Sequence, residues 1–243
     1  MKKLSLIIAF LFSLQIGSAQ FGFSAGYKPI NASNWEKIIE TNQANFPVGY
    51  NPVPLANGAQ VGLDYWFRLK NYRVEFLPEL SFSKFKRVWQ VEDGNSVKEE
   101  INSNFLGLHF NTNFYIFDFK GDCNCPTFGK QDSDMKKGFF IQIAPGVDYV
   151  FNSFKSEEGT KKATDIVPSI GLGIGIDFGL SNLLTITPMI KVHQYFGVNW
   201  DGLNTNFKLE DGTEPIPEEF NKNNITQLFA GVRIGIRLDK QNY

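Results

Sequence analysis

Beyond residue 14 the chain has no long apolar run. A membrane helix needs about 18 consecutive apolar residues, so helical spans are excluded from everything that follows. Histidine and cysteine are scarce, with 2 of each. His109 and His193 with a single acid make a poor metal set, and the two thiols of Cys123 and Cys125 make a weak one. A basic excess is also missing. The formal charge of −1 removes the electrostatic footprint of a nucleic-acid binder. No cofactor and no small-molecule substrate is expected from these residue types at these spacings.

What is present begins with Lys2 and Lys3, an apolar run over 4–14 broken only by Ser13, and small residues at Gly17-Ser18-Ala19. This is the pattern of a secretory signal peptide, predicted to cover 1–19 with cleavage before Gln20. Residues 20–243 are then read as one β domain.

That domain alternates with a period of two, the period of a strand. The clearest stretch is 170–180, where Ile170, Leu172, Ile174, Ile176, Phe178 and Leu180 face away from Gly171, Gly173, Gly175, Asp177 and Gly179. Seven other segments repeat the split, at 21–28, 60–70, from 72, from 106 to near 119, 139–151, 184–200 and 227–238. Aromatic content of 15%, with 24 Phe, suits outward faces that meet lipid. A soluble lipocalin-type barrel is the alternative. The Phe- and Ile-rich faces, set against glycine or charge, favour the membrane. The predicted fold is therefore all-β: an eight-stranded antiparallel up-and-down transmembrane β-barrel.

Two local features complicate this reading. Pro78, Pro145, Pro168 and Pro188 fall inside segments, and proline cannot donate to a ladder, so bulges or kinks are expected there. Connectors alternate long and short, with long loops at 29–59 and 201–224, a moderate one near Gly94, a polar one at 156–162 and tight turns near Asn71 and Asn182. With both termini periplasmic, the long connectors are external. The link at 120–137 is too long for the pattern. A short helix is expected at 35–41.

The end of the signal peptide at Ser18-Ala19-Gln20, the opening Phe21-Gly22-Phe23-Ser24-Ala25-Gly26-Tyr27 and the closing Ala230-Gly231-Val232-Arg233-Ile234-Gly235-Ile236-Arg237-Leu238 resemble the outer-membrane β-barrel family of Bacteroidetes, the PorT-like group. The resemblance spans the whole mature chain and extends to small OmpA/OmpX-type barrels. It rests on patterns rather than catalytic signatures. It implies the outer membrane, and it implies a place among structural or accessory subunits of larger machines, some of them type IX secretion systems.

The inward faces carry a balanced charge set. Acids are Asp64, Glu75, Glu79, Asp148 and Asp177; bases are Arg68, Arg73, Lys191, Arg233 and Arg237. An eight-stranded barrel is just wide enough to be filled by side chains, so these ions are expected to pair into a closed polar plug. A narrow conduit is the second reading. A lipid-modifying enzyme built on His109 or His193 with a carboxylate is the third and weakest, because the two histidines lie on strands that are not neighbours. The expected protein is thus non-enzymatic, surrounded by outer-membrane lipid, with other outer-membrane or periplasmic proteins as candidate partners. Tyr65, Trp66, Phe67, Trp89, Trp200, Phe117 and Phe119 are expected in aromatic girdles. Trp35, Phe46, Tyr50, Pro52 and Pro54 in the first loop suit either a partner or packing over the mouth. Cys123 and Cys125 are read as a strained local disulfide or as free thiols.

Overall fold

The structure is a computed structural model and describes residues 20–40, 45–69, 72–93, 95–117, 138–181, 183–207 and 209–237. The expected signal peptide, Cys123, Cys125, Phe119 and the side chains of Arg68 and Arg237 lie outside the described residues.

The strands in chain order are β1 (Gln20–Tyr27), β2 (Ile30–Asn31), β3 (Gly58–Tyr65), β4 (Phe67–Arg68), β5 (Val74–Asp93), β6 (Asn95–Phe114), β7 (Phe139–Ser156), β8 (Gly159–Ile176), β9 (Phe178–Gly179), β10 (Leu184–Asn199) and β11 (Lys222–Arg237). One helix, α1 (Ser33–Glu40), lies in the first loop, close to the expected 35–41. No helix among the described residues is long and apolar enough to cross a membrane.

Antiparallel pairing runs β1-β3-β5-β6-β7-β8-β10-β11 and returns to β1, so a ring of 8 strands closes on itself. The closing seam pairs Gln20 with Arg237 through to Tyr27 with Ala230. The short strands prolong their predecessors: β2 continues β1 along β11, β4 continues β3 along β5, and β9 continues β8 along β10.

The four prolines form no bulges. Pro78 pairs with Phe110, Pro145 with Ile170, Pro168 with Val147 and Pro188 with Val232, all in unbroken register. Instead, each sits where the ladder on its other side is interrupted. Pro78 lies beside the gap between β3 and β4, and Pro188 beside the gap between β8 and β9. Pro145 lies within the break in β6–β7 pairing, and Pro168 just past the end of β8–β10 pairing. A missing N–H costs nothing where no partner waits for it.

Two connectors depart from expectation. Most of the polar stretch at 156–162 is strand, with the turn reduced to Glu157 and Glu158, and strand extends to the residues on either side of Gly94. Strands β5 and β6 stay paired as far as Asp93 and Asn95, and β7 and β8 as far as Ser156 and Gly159. These strands run to 20 and 18 residues, against the 9–11 that cross a bilayer. The surplus stands beyond the apolar belt.

Along that surplus the two faces exchange character. Within the belt, Leu80, Phe82, Leu106, Leu108, Val147, Tyr149, Ile170 and Leu172 point outward and are exposed, while Glu79, Ser81, His109 and Asp148 point inward. Farther along the same strands the inward positions become Phe85, Trp89, Ile101, Phe105, Val150, Phe154, Ala163 and Val167, all buried. The outward positions become Lys84, Lys86, Asn102, Ser153, Lys155 and Lys162. Strand parity is unchanged; only the chemistry on each face swaps.

The loops at this end fold over the inward apolar residues. Trp35, Ile38 and Ile39 of α1, then Phe46, Tyr50 and Leu55, and finally Leu203, Phe207 and Ile216 join one apolar core with the extended strands. Of the two readings of the first loop, packing over the mouth is the one realised. Trp66, Trp89 and Trp200 are also buried at 6%, 6% and 1% exposure, which corrects their expected place in girdles. For Trp200 the cause is a one-residue register shift between Tyr195 and Val198. Gly197 accommodates it at φ +68°, a conformation open to glycine at little cost. The shift turns Val198 and Trp200 inward. Phe117 is exposed at 64% and stays on the outer surface as expected.

Trp200 stacks edge-on against Trp35 with ring centroids 5.2 Å apart. Trp200→Ala is expected to destabilise the cap by about 3–5 kcal/mol. Proteolysis of the 29–57 loop in reconstituted protein should accelerate sharply, while the belt strands stay protected.

Candidate functional site

The candidate site is the interior of the belt. Every second residue of eight strands converges there, and wall glycines make the room. Built out to a Cβ, Gly22 would lie 2.3 Å from Asp64 Oδ2, Gly62 2.3 Å from Glu79 Oε1, and Gly146 2.1 Å from His109 Cδ2. In the 170–180 stretch, Gly171 faces His193, Gly173 faces Lys191 and Gly175 faces Phe140. These glycines exist for the side chains that lean across them.

The charged groups stack in tiers along the barrel. Nearest the chain termini, Arg233 donates from Nη2 and Nε to Asp64 Oδ1 and Oδ2 at 2.6 and 2.7 Å, a bidentate pair. In the next tier the Tyr115 hydroxyl lies between two carboxylates, 2.7 Å from Glu75 and also in contact with Asp177. Thr187 donates to Asp177, and the Arg73 guanidinium lies 4.4 Å from the centre of the Tyr115 ring.

Above it, Glu79 is held by three donors. It accepts from Ser24 at 2.8 Å, Asn111 at 2.6 Å and Lys191 at 3.1 Å. Lys191 and Glu79 are each 2% exposed. The following tier holds Asp148, which accepts from Ser169 at 2.7 Å and contacts His109 Nε2 at 3.0 Å. The other ring nitrogen of His109 lies 3.3 Å from Ser81 Oγ. The last polar tier is Lys28, donating to Gln60 at 2.6 Å, Ser83 at 3.2 Å and Tyr195 at 3.1 Å. Beyond Tyr195 the apolar core begins.

Asp64, Arg73, Glu75, Glu79, Asp148, Asp177, Lys191 and Arg233 therefore all lie inside, where alternation placed them. Two corrections follow from three-dimensional closure. His109 and His193 are on separate strands, yet their ring centroids are 4.9 Å apart across the lumen. In a narrow barrel, non-neighbouring strands face each other, so sequence distance says little about contact. Lys28 is a second correction. It is fully buried and belongs to the ion set, a place its inward parity on the first segment already signalled. The polar partners Ser24, Asn111, Tyr115, Thr187 and Tyr195 share that inward parity, but which ion each one serves depends on which strands face across the interior.

Ser81, His109 and Asp148 form a hydroxyl–imidazole–carboxylate series of the type used by nucleophilic hydrolases. All three are at most 2% exposed. Gly107 and Gly146 lie so close to the imidazole that a Cβ on either would meet it at 2.6 and 2.1 Å, and the His193 ring lies 4.9 Å away. No group of three or more His, Cys, Asp or Glu residues among the described residues is arranged to hold a metal ion.

An apolar outer band around a polar, side-chain-filled interior defines the class: a transmembrane β-barrel of the outer-membrane type. No known protein family matches the sequence, and no curated protein matches it either. Among solved structures, the chain is similar to Ail, the attachment invasion locus protein of Yersinia pestis, in complex with the heparin analogue sucrose octasulfate. The identity is 12%, the coverage 91% of this chain and 99% of that one, and the TM-score 0.42. Neisserial surface protein A is similar at 8% identity, with 90% and 96% covered and a TM-score of 0.40. The outer membrane protease OmpT from Escherichia coli is similar at 8% identity, with 92% and 98% covered and a TM-score of 0.44. The likeness is one of fold.

Asp64→Ala leaves the Arg233 guanidinium in the interior without its bidentate partner. A loss of about 3–5 kcal/mol is expected, read as a lowered urea midpoint in vesicles. Replacing both residues, Asp64→Ala with Arg233→Met, should recover most of it.

Proposed function

We propose that this protein is a non-enzymatic, integral outer-membrane barrel that serves as a structural or accessory subunit of a larger outer-membrane assembly. The observation that carries the reading is the interior itself. Tiers of paired ions fill the belt, and an apolar core joined to the loops closes one end.

A narrow channel needs a continuous wet path. Here Phe85, Phe105, Val150 and Tyr195, all at most 1% exposed, cross the path above Lys28. That argues against conduction. The buried Ser81–His109–Asp148 series argues against an enzyme for the same reason. Gln20 and Arg237 share one end with the short β4–β5 and β9–β10 connections, which supports placing that end in the periplasm and the long hairpins outside. The resemblance to PorT-like barrels of Bacteroidetes makes a secretion or barrel-assembly machine the assembly to look for.

Three measurements test this. In planar bilayers the pure protein should show no steady conductance; stable ion steps would replace the plug with a channel. Leu172→Arg, at a lipid-facing belt position 58% exposed, should cost up to about 2–4 kcal/mol in vesicles. Val88→Arg, outward but beyond the belt, should change stability by less than about 0.5 kcal/mol. Equal tolerance at the two positions would remove the membrane reading. Purification from mild-detergent membranes should bring down a stoichiometric outer-membrane partner, and recovery of the barrel alone would remove the accessory role.

A further inference from the structure

The outer face of the four long strands is not uniformly polar. Just beyond the last outward apolar residues of the belt, Phe82 on β5, Phe151 on β7 and Ile166 on β8, the next outward charges are Lys84 and Lys86, Lys155, and Lys162. Lys98 stands farther out on β6. Among the outward residues of these strands whose side chains are described, one carboxylate shares the face. It is Glu100, with Lys86 Nζ 2.6 Å away and Lys155 as its cross-strand neighbour. A hydrogen bond from Asn102, then one from Lys86, hold the Glu100 carboxyl below its ordinary value, so it stays ionised and offsets one lysine. The acids Glu157 and Glu158 sit at the tip of the β7–β8 turn, the point farthest from the belt.

The opposite wall differs. On β11 the two outward positions past Leu228 are Thr226 and Asn224, with Lys222 only beyond them, and on β10 the uncharged Gln194, which accepts from Thr226 at 2.7 Å, precedes the last outward apolar residue, Phe196. The positive charge is confined to one side.

Its depth is fixed by strand geometry. Lys84 lies two residues past Phe82, about 7 Å along the strand. Lys86, Lys155 and Lys162 lie four residues past the last belt residue of their strands, about 13 Å along the strand or roughly 9 Å above the belt at a tilt near 45°. That is about one Debye length at physiological salt, and lysine stems bend back toward the apolar surface they leave.

We propose that this face docks on anionic lipid headgroups, so that the barrel gathers negatively charged lipid along β5–β8 and not along β10–β11. The inference rests on the membrane reading above. Its support is charge complementarity, together with direct continuity between the lysines and the lipid-facing belt. Lysines at this depth attract phosphate-bearing headgroups by an amount that corresponds to roughly fivefold in affinity each when close to the surface.

The test uses the full protein in vesicles of phosphatidylcholine mixed with phosphatidylglycerol, with spin-labelled forms of each lipid as probes. The motionally restricted fraction should favour phosphatidylglycerol severalfold, and high salt should abolish that preference. The variant K84Q/K86Q/K155Q/K162Q should lower it toward one, while K37Q, altered on the exposed face of α1, should leave it unchanged. A preference of one in the unaltered protein, or an unchanged preference in the fourfold variant, overturns the inference and leaves the membrane reading standing. Failure to insert into either kind of vesicle overturns both.

Discussion

Closure of the ring between β1 and β11 is the constraint on which the rest of the structure depends. Inside a bilayer no water serves an unpaired backbone group, so an open edge would carry a heavy cost. The seam from Gln20–Arg237 to Tyr27–Ala230 removes that edge. Closure with so few strands makes the interior narrow. Narrowness dictates the glycines: Gly22, Gly62, Gly146 and Gly171 stand where any side chain would collide with an ion or imidazole leaning across the lumen. It also dictates pairing, since a charge confined there meets a counter-charge or a hydrogen-bond donor at contact distance or goes unsolvated.

The same constraint explains why the two faces must exchange character. A strand keeps its parity unless a bulge intervenes. Once β5–β8 leave the lipid, their outward face meets water and their inward face meets only other strands and loops. The sequence answers with lysine, serine and asparagine outside and phenylalanine, valine and isoleucine inside. The molecule is thus two cores in series, one polar within an apolar belt and one apolar beneath a polar surface. Where a strand needs different parity in the second core, as β10 does to send Trp200 inward, the shift is made at Gly197.

This arrangement also sets what could be read from the residues in order. Period-two alternation reveals the eight strands, the inward ions and the outward belt, because a one-sided environment acts on every second residue. It fails at the hairpin ends: at 156–162 every residue is polar or glycine, and near Gly94 polar residues run on both faces, so no alternation marks these stretches as strand. It assigns Trp66, Trp89 and Trp200 to girdles because aromatic residues near strand ends suit both a lipid interface and a buried cap. It cannot bring His109 to His193, since that contact depends on which strands face across the barrel. The prolines read as bulges because one sequence does not show which of two ladders a residue would have donated to.

The glycine-rich stretch at 170–180 illustrates how the interior decides between a wall and a passage. An empty face could equally line an open path. It is filled instead by His193, Lys191 and Phe140, each reaching over one of its glycines. Lys191 extends from there to Glu79, and its ammonium lies 5.3 Å from the centre of the Phe229 ring, so it is held from two sides. A passage along the axis would have to part this pair and then displace Phe85, Phe105 and Tyr195 above it. The second step also means disturbing the core that these rings share with Trp35, Tyr50 and Trp200. A passage along the axis therefore requires disrupting the cap as well as the ion tiers, so the two cores hold each other closed.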